Sequence, residues 1–480
     1  MSSDILNELA IDSRRDAGSL FTDLVCRYLE ETRAEVGPVS TPLSVEEIAR
    51  RFDEPLPREG RPLREVVDRI GRDVVRDANH LTHPMYMGHQ VSAPLPAAIW
   101  AEPAISMLNN SLAVREMSPT LTAIEHRVVR WMTDLAGLGP RAGGTLTTGG
   151  TEATFTALLA ARSRTLPAAW ADGVGANPPV VLHGEHAHYS VTRAIAQLGL
   201  GTRCAIAIPS RDLRMDAEAL KGRLEQLASA GTRVMAVVAT AGSTATGTFD
   251  ELETIGRVCA ERGVWLHIDG AHGASALLSR AHRARMRGLE HASSVAWDPH
   301  KMMLLPLSAG LLLVRDERDL DAAFAQQAPY LFHGDEEERA ADQGVRSFMC
   351  SRRADALKVW VALQRYGADG IGALYDRLCG VTRRLYDAIA DRIDFEALHE
   401  PESNILCFRW IGSAGRDDSS LDEMNRELRE RYNRAGHGWI TSTVLGGRRV
   451  LRVTMMNPLT HDKHVTRLLD GLAHEAQSLP

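Results

Sequence analysis

A chain of 480 residues that is 44% hydrophobic and 24% charged, with both signs interspersed, is long enough to bury a large core in two or three domains. Its formal net charge of −7 and isoelectric point near 6.2 exclude the concentrated positive face that nucleic-acid phosphates require. The six cysteines show no CxxC spacing, so neither a disulfide framework nor a zinc site is expected, and a reducing cytoplasm fits.

The amino terminus, MSSDILNELAIDSRRDAG, carries acids and arginines where a secretion signal needs an apolar run. Up to about Arg76 the pattern is that of amphipathic helices, clearest in SLFTDLVCRYLEETRAEV, with polar, proline-bearing connectors and no core of their own. Residues 1–78 are therefore expected to be a helical segment that packs on something else, a second subunit foremost. From Asn79 to Gly370 short apolar runs (VVLHG, CAIAI, VMAVVAT, VWLHID, SVAWD, GLLLV) alternate with helical patterns. That alternation predicts an α/β domain over 79–370, a mostly parallel sheet flanked by helices. Residues 371–480 read as a smaller α+β unit with strands NILCFRW and VLRVTMM. The longest apolar stretch, 302–314, contains a proline and is too short to span a bilayer, so no membrane is expected.

Four stretches of the central region carry chemistry. In GGTLTTGGTEATFTALLAARSR, glycines and threonines precede an amphipathic helix, so Gly150 and Thr151 either cradle an anion at the helix N-terminus or simply cap and turn it. HGEHAHYSV offers histidines after a strand; with no acidic or cysteine partners for zinc, a ring stacked on a flat cofactor explains one of them better than a metal does. VWLHIDGAHGAS ends a strand in Asp269, placed either to meet a ring nitrogen at the carboxyl edge of the sheet or to cap a turn. WDPHKMML sets Lys301 among apolar neighbours, and a desolvated lysine supplies the neutral amine that condenses with an aldehyde such as pyridoxal phosphate (PLP).

Together, TTGGTEATFTALLAAR, EHAHYSV, TAGSTATGTFDEL, LHIDGAHGA and WDPHKMM resemble the group II PLP-dependent amino-acid decarboxylases. That family, of fold type I, contains the glutamate, cysteine-sulfinate, diaminobutyrate and aromatic amino-acid decarboxylases. The resemblance runs from HPMYMGHQ to VLRVTMMNPLT. It implies that Lys301 holds the cofactor and that Asp269 pairs with the pyridine nitrogen, an electron sink when protonated. It also implies that His188 stacks on the ring with Ala271 on the other face, that Thr244 lies beside the ring, and that Gly150, Thr151 and His300 contact the phosphate. A homodimer is implied too, because the family's active sites lie between subunits.

The same resemblance bears on substrate. Arg352 in CSRRADALKVW matches an arginine that engages a substrate carboxylate, and together with the YLF run at Tyr330 it favours aspartate, glutamate or cysteine sulfinate. Gly88 and His89 stand where the acidic branch has asparagine and glutamine and the aromatic branch a tyrosine, so His89 is a second candidate for the substrate side chain. The alternatives are a diaminobutyrate-type decarboxylase, a related lyase or aldehyde-forming enzyme, and a non-catalytic scaffold; retention of Lys301, Asp269 and His188 argues against the last. The family's mobile loop carries a tyrosine that is a candidate proton donor, but here Ala341 falls at about that place, behind an acidic run at 335–338. Either another group, His188 foremost, delivers that proton, or the carbanion has a different fate, which leaves oxidative or transaminating side chemistry more open here.

Overall fold

The computed structural model describes residues 2–326, 328, 332, 342–412 and 417–479. Tyr330, Ala341 and the acidic run at 335–338 lie outside the described residues. The chain divides into two compact units, one of Gln90–Arg383 with His399–Leu406, the other of Met1–His89 with Arg384–Leu398 and Cys407–Pro480. Among the described residues no helix is long and apolar enough to cross a membrane.

In chain order the first unit has strands β1 (Gly143–Thr147), β2 (Val180–Gly184), β3 (Ala205–Ile208), the short hairpin β4 (Ser210–Arg211) and β5 (Arg214–Met215), then β6 (Val234–Thr240), β7 (Trp265–Asp269), β8 (Ser294–Trp297) and β9 (Gly310–Val314). Apart from the hairpin they form a seven-stranded sheet in the order β1-β9-β8-β7-β6-β2-β3. β3, β2, β6, β7 and β8 run parallel, while β9 is antiparallel to both of its neighbours. This is the expected α/β architecture. Every residue of β7, β8 and β9 is buried, as their largely apolar sequences require of strands covered on both faces. Helix Gly150–Thr165 packs over the sheet, its Ala153 and Ala157 set against Ala296, Leu312, Val314 and Leu320.

β1 is not among the strands expected from the sequence, where its glycines and threonines read as a turn ahead of a helix. Glycine disfavours a strand on propensity alone. Here it is required, because a Cβ on Gly144 would sit 2.3 Å from the carbonyl oxygen of Leu312 in β9.

The second unit holds β10 (Phe395–Ala397), β11 (Ile405–Trp410) from Cys407 onward, β12 (Thr441–Leu445) and β13 (Arg448–Thr454), ordered β10-β11-β13-β12. The amino-terminal segment belongs to this unit rather than standing apart. Val39 N–H donates to Gly436 O at 2.9 Å, Met87 N–H to Trp439 O at 2.9 Å, and Thr454 N–H to Met87 O at 3.0 Å. Glu35 accepts from His464 Nε2 at 2.9 Å and pairs with Lys463 and Arg467. The sequence boundaries at 78/79 and 370/371 therefore differ from the structural ones. The second falls inside the helical run Ala356–Ala390, which is interrupted only at Gly367, where φ is +69°.

Candidate active site

Parallel strands deliver their carboxyl ends to one edge of a sheet, and ligands bind in the crevice there. Thr148–Thr151 follow β1, His188 and Ser190 follow β2, Thr244 follows β6, Asp269 ends β7, and Asp298 to Lys301 follow β8. These residues converge on one cavity of about 340 Å³, within the range of small-molecule sites. Gly150, Thr151, His188, Thr244, Asp269, Ala271, His300 and Lys301, all singled out in the sequence, line it.

The helix that begins at Gly150 is preceded by Gly149 and has no side-chain cap, so Thr151 is not its cap and most of its first-turn amides remain available to an anion. Gly150 must lack a side chain: a Cβ there would lie 2.8 Å from the Cβ of Ala271. Asp269 is almost fully buried and its Oδ1 accepts from Ala271 N–H at 3.2 Å. His188 Nδ1 accepts from Ser190 N–H at 3.3 Å and lies 2.9 Å from Ser190 Oγ. Burial pushes the pKa of His188 down, against the opposing pull of Asp269, and burial likewise lowers His300.

Asp298 organises the floor of the cavity and was missed in the sequence. Its Oδ2 accepts from Gly150 N–H at 2.9 Å, lies 3.2 Å from Lys301 Nζ and is 3.5 Å from His300 Nε2. The available signal was its position three residues before Lys301 in a buried turn. Among the described residues Asp298 Oδ1 and the cavity-lining Thr240 Oγ1 are buried polar atoms without a hydrogen-bond partner.

Two predicted substrate residues are placed otherwise. Arg352 does not line the cavity; its Nη2 donates to Glu125 Oε1 at 2.7 Å and its Nη1 to Leu146 O at 3.2 Å, both side chains being buried. A guanidinium bound in this way is not free for a substrate carboxylate. His89 lies in the other unit, its ring 5.0 Å from that of Trp439, and burial lowers its pKa.

Residues 46–411 match the pyridoxal-dependent decarboxylase conserved domain. The chain belongs to the pyridoxal-dependent decarboxylase family. It is 36% identical over 428 residues to the L-2,4-diaminobutyrate decarboxylase of Rhizobium meliloti, covering 89% of this chain and 84% of that protein. It is 31% identical over 446 residues to the cysteine sulfinic acid decarboxylase of Rattus norvegicus, covering 90% of each. The crystal structure of mouse CSAD superposes with a TM-score of 0.91 at 28% identity, over 97% of this chain and 100% of that one.

This decarboxylase is thus a carboxy-lyase that uses PLP, and its cavity fits that group. An uncapped helix N-terminus and a glycine without room for a side chain suit the phosphate, a lysine amine faces the same space, and a strand-end carboxylate lies beyond.

Beneath Asp269, His267 is fully buried, with Nδ1 2.9 Å from Ser294 Oγ, and burial pushes its pKa down to about 4. The unfolded chain, with histidine near 6.5, takes up this proton first as pH falls. The stability contributed by keeping His267 neutral is complete above about pH 6.5 and is lost toward pH 4, at roughly 1.4 kcal/mol per pH unit. Urea unfolding between pH 6.5 and 4.5 should show a shallower loss in His267→Asn than in the parent. Equal slopes would refute the burial argument.

Proposed function

We propose that this decarboxylase removes the α-carboxylate of a small L-amino acid with a polar side chain, and that L-2,4-diaminobutyrate is preferred over aspartate, glutamate and cysteine sulfinate. The observation that carries the preference is the engagement of Arg352 by Glu125. The acidic expectation depended on that guanidinium, and the described lining of the cavity contains Asp269 and Asp298 but no arginine. The identity with the Rhizobium meliloti enzyme supports the same reading.

In this reading Lys301 anchors the cofactor covalently, Gly150, Thr151 and His300 hold its phosphate, and Asp269 faces the ring nitrogen. His188 and Ala271 enclose the ring, with Thr244 beside it. Bound PLP supplies the sink for the electron pair released when the Cα–carboxylate bond breaks. Asp269 would act through the ring nitrogen, its negative charge keeping that nitrogen protonated and so able to draw the electron pair. With Nδ1 accepting from the Ser190 amide, neutral His188 carries its hydrogen on Nε2; it is our candidate for delivering a proton to Cα from its imidazolium form, which returns to this neutral form on giving the proton up. The exposed Ile5, Leu6, Leu9 and Ile11 of the first helix support a second copy of the chain as the partner.

The test is carbon dioxide release from these amino acids, with amine, aldehyde and ammonia analysed in parallel. Diaminobutyrate should exceed the acidic substrates in kcat/KM by about tenfold or more. Preference for an acidic substrate would reject the assignment, and aldehyde with stoichiometric ammonia would reject simple decarboxylation.

A further inference from the structure

We infer that Glu125 and Arg352 form a positioning pair that closes the free edge of the sheet at β1 and so holds the loop assigned above to the cofactor phosphate. Among the described residues β1 is the end strand, paired with β9 alone. Alternate residues of such a strand turn their N–H and C=O away from the sheet, where each needs a partner if buried. At Leu146 the ion pair meets both groups, the carbonyl also accepting from Thr145 Oγ1 at 3.3 Å. Leu146 N–H donates to Glu125 Oε1 at 3.4 Å, Leu146 O accepts from Arg352 Nη1 at 3.2 Å, and Arg352 Nη2 closes the ring on Glu125 Oε1 at 2.7 Å. One carboxylate and one guanidinium thus present an acceptor and a donor side by side, as a neighbouring strand would. Four residues later the chain reaches Gly150.

Several features separate this role from general stabilisation. Both side chains are essentially inaccessible, at 3% and 0% exposure, so the pair is fully desolvated. Among the described residues Glu125 Oε2 and Arg352 Nε have no hydrogen-bond partner, and a buried pair left partly unsatisfied is a poor stabiliser compared with apolar side chains of similar volume. What it provides is direction, since it fixes both backbone groups of a single residue. The pair also draws together distant segments. Glu125 comes from helix Pro119–Leu135, where it occupies the buried face with Leu121, Val128 and Met132. Arg352 enters from the approach to the helical run Ala356–Ala390, and its own carbonyl accepts from Leu112 N–H at 2.9 Å. Beyond Leu146, Thr147 Oγ1 donates to Gly149 O at 3.2 Å, extending the constraint into the turn. An error in the direction of β1 is therefore passed to the amides of Gly150 and Thr151.

The inference rests on assigning Gly150 and Thr151 to the phosphate, and the experiment keeps the two apart. Apoenzyme is titrated with PLP and with pyridoxal, which lacks the phosphate, for the parent, Glu125→Gln, Arg352→Lys, the double variant Glu125→Gln/Arg352→Met, and Gly150→Ala. Glu125→Gln and Arg352→Lys should each raise the PLP dissociation constant by on the order of tenfold, while pyridoxal binding changes by less than about twofold. The double variant should be no worse than the single ones, because no unpaired charge remains buried. Amide hydrogen exchange over 145–151 in the apoenzyme should rise in the single variants. Parallel losses for PLP and pyridoxal, or a raised substrate KM in Arg352→Lys with PLP affinity intact, would overturn the positioning role. If Gly150→Ala leaves PLP binding unchanged, the phosphate assignment itself fails; if Gly150→Ala weakens it and the pair variants do not, only the positioning role fails.

Discussion

Lys301→Ala is expected to give a folded, colourless protein to which borohydride fixes no cofactor, and whose release of carbon dioxide is lower by more than about 10³-fold. The amine is the group whose loss removes covalent attachment altogether, since no other described lysine lines the cavity. Folding should survive, because the turn does not depend on the side chain. Asp298 N–H donates to Ala271 O at 3.1 Å, His300 N–H to Ala309 O at 3.1 Å and Lys301 N–H to Asp298 O at 2.9 Å. Met302, Met303, Leu304 and Leu305, all buried, anchor the chain on the far side of the lysine. The removed ammonium lies 3.2 Å from Asp298 Oδ2, and that carboxylate keeps the Gly150 amide. The check is mass spectrometry of borohydride-treated protein alongside visible absorption. Cofactor still covalently attached to the variant would reject Lys301 as the anchor.

Asp269→Asn should lower kcat by about 10²–10³-fold while changing KM much less. Asparagine preserves the volume and can still accept from the Ala271 amide, which Asp269 now does at 3.2 Å, so the thermal midpoint should stay near that of the parent. The substitution deletes one negative charge at the end of β7, in a buried site where, in the role proposed above, it would keep a ring nitrogen protonated and so strengthen the electron sink. The loss falls on the step in which charge develops, hence on kcat. Steady-state kinetics with a parallel melting curve separates this from unfolding; an unchanged kcat in a folded variant would remove Asp269 from the chemistry.

Much of the site was readable along the chain because strand-end motifs are local. Asp269 and the Asp298–Lys301 turn each close an apolar run, and a parallel sheet brings such ends together without further information. Gly150 and Thr151 were readable as glycine-rich chain opening a helix. Asp298 was overlooked beside Lys301 because a carboxylate three residues away in a turn has many ordinary uses; only its hydrogen bond to the Gly150 amide, 148 residues earlier, gives it a role. Arg352 was assigned to the substrate by resemblance, and its ion pair was not legible because the partner, Glu125, is 227 residues away. Glu125 did carry a signal, as a charge on the apolar face of a helix.

The sequence by itself determined the α/β class, the family and half of the residues that line the cavity, because hydrophobic period and short motifs are properties of neighbouring residues. Tertiary structure decided the rest: that GGTLT is an edge strand, that the amino-terminal segment shares a unit with the carboxyl-terminal sheet, and that Arg352 serves Glu125 and Leu146 rather than opening on the cavity. Each of these depends on which distant group fills a buried hydrogen-bonding or packing requirement, and local pattern does not encode that choice.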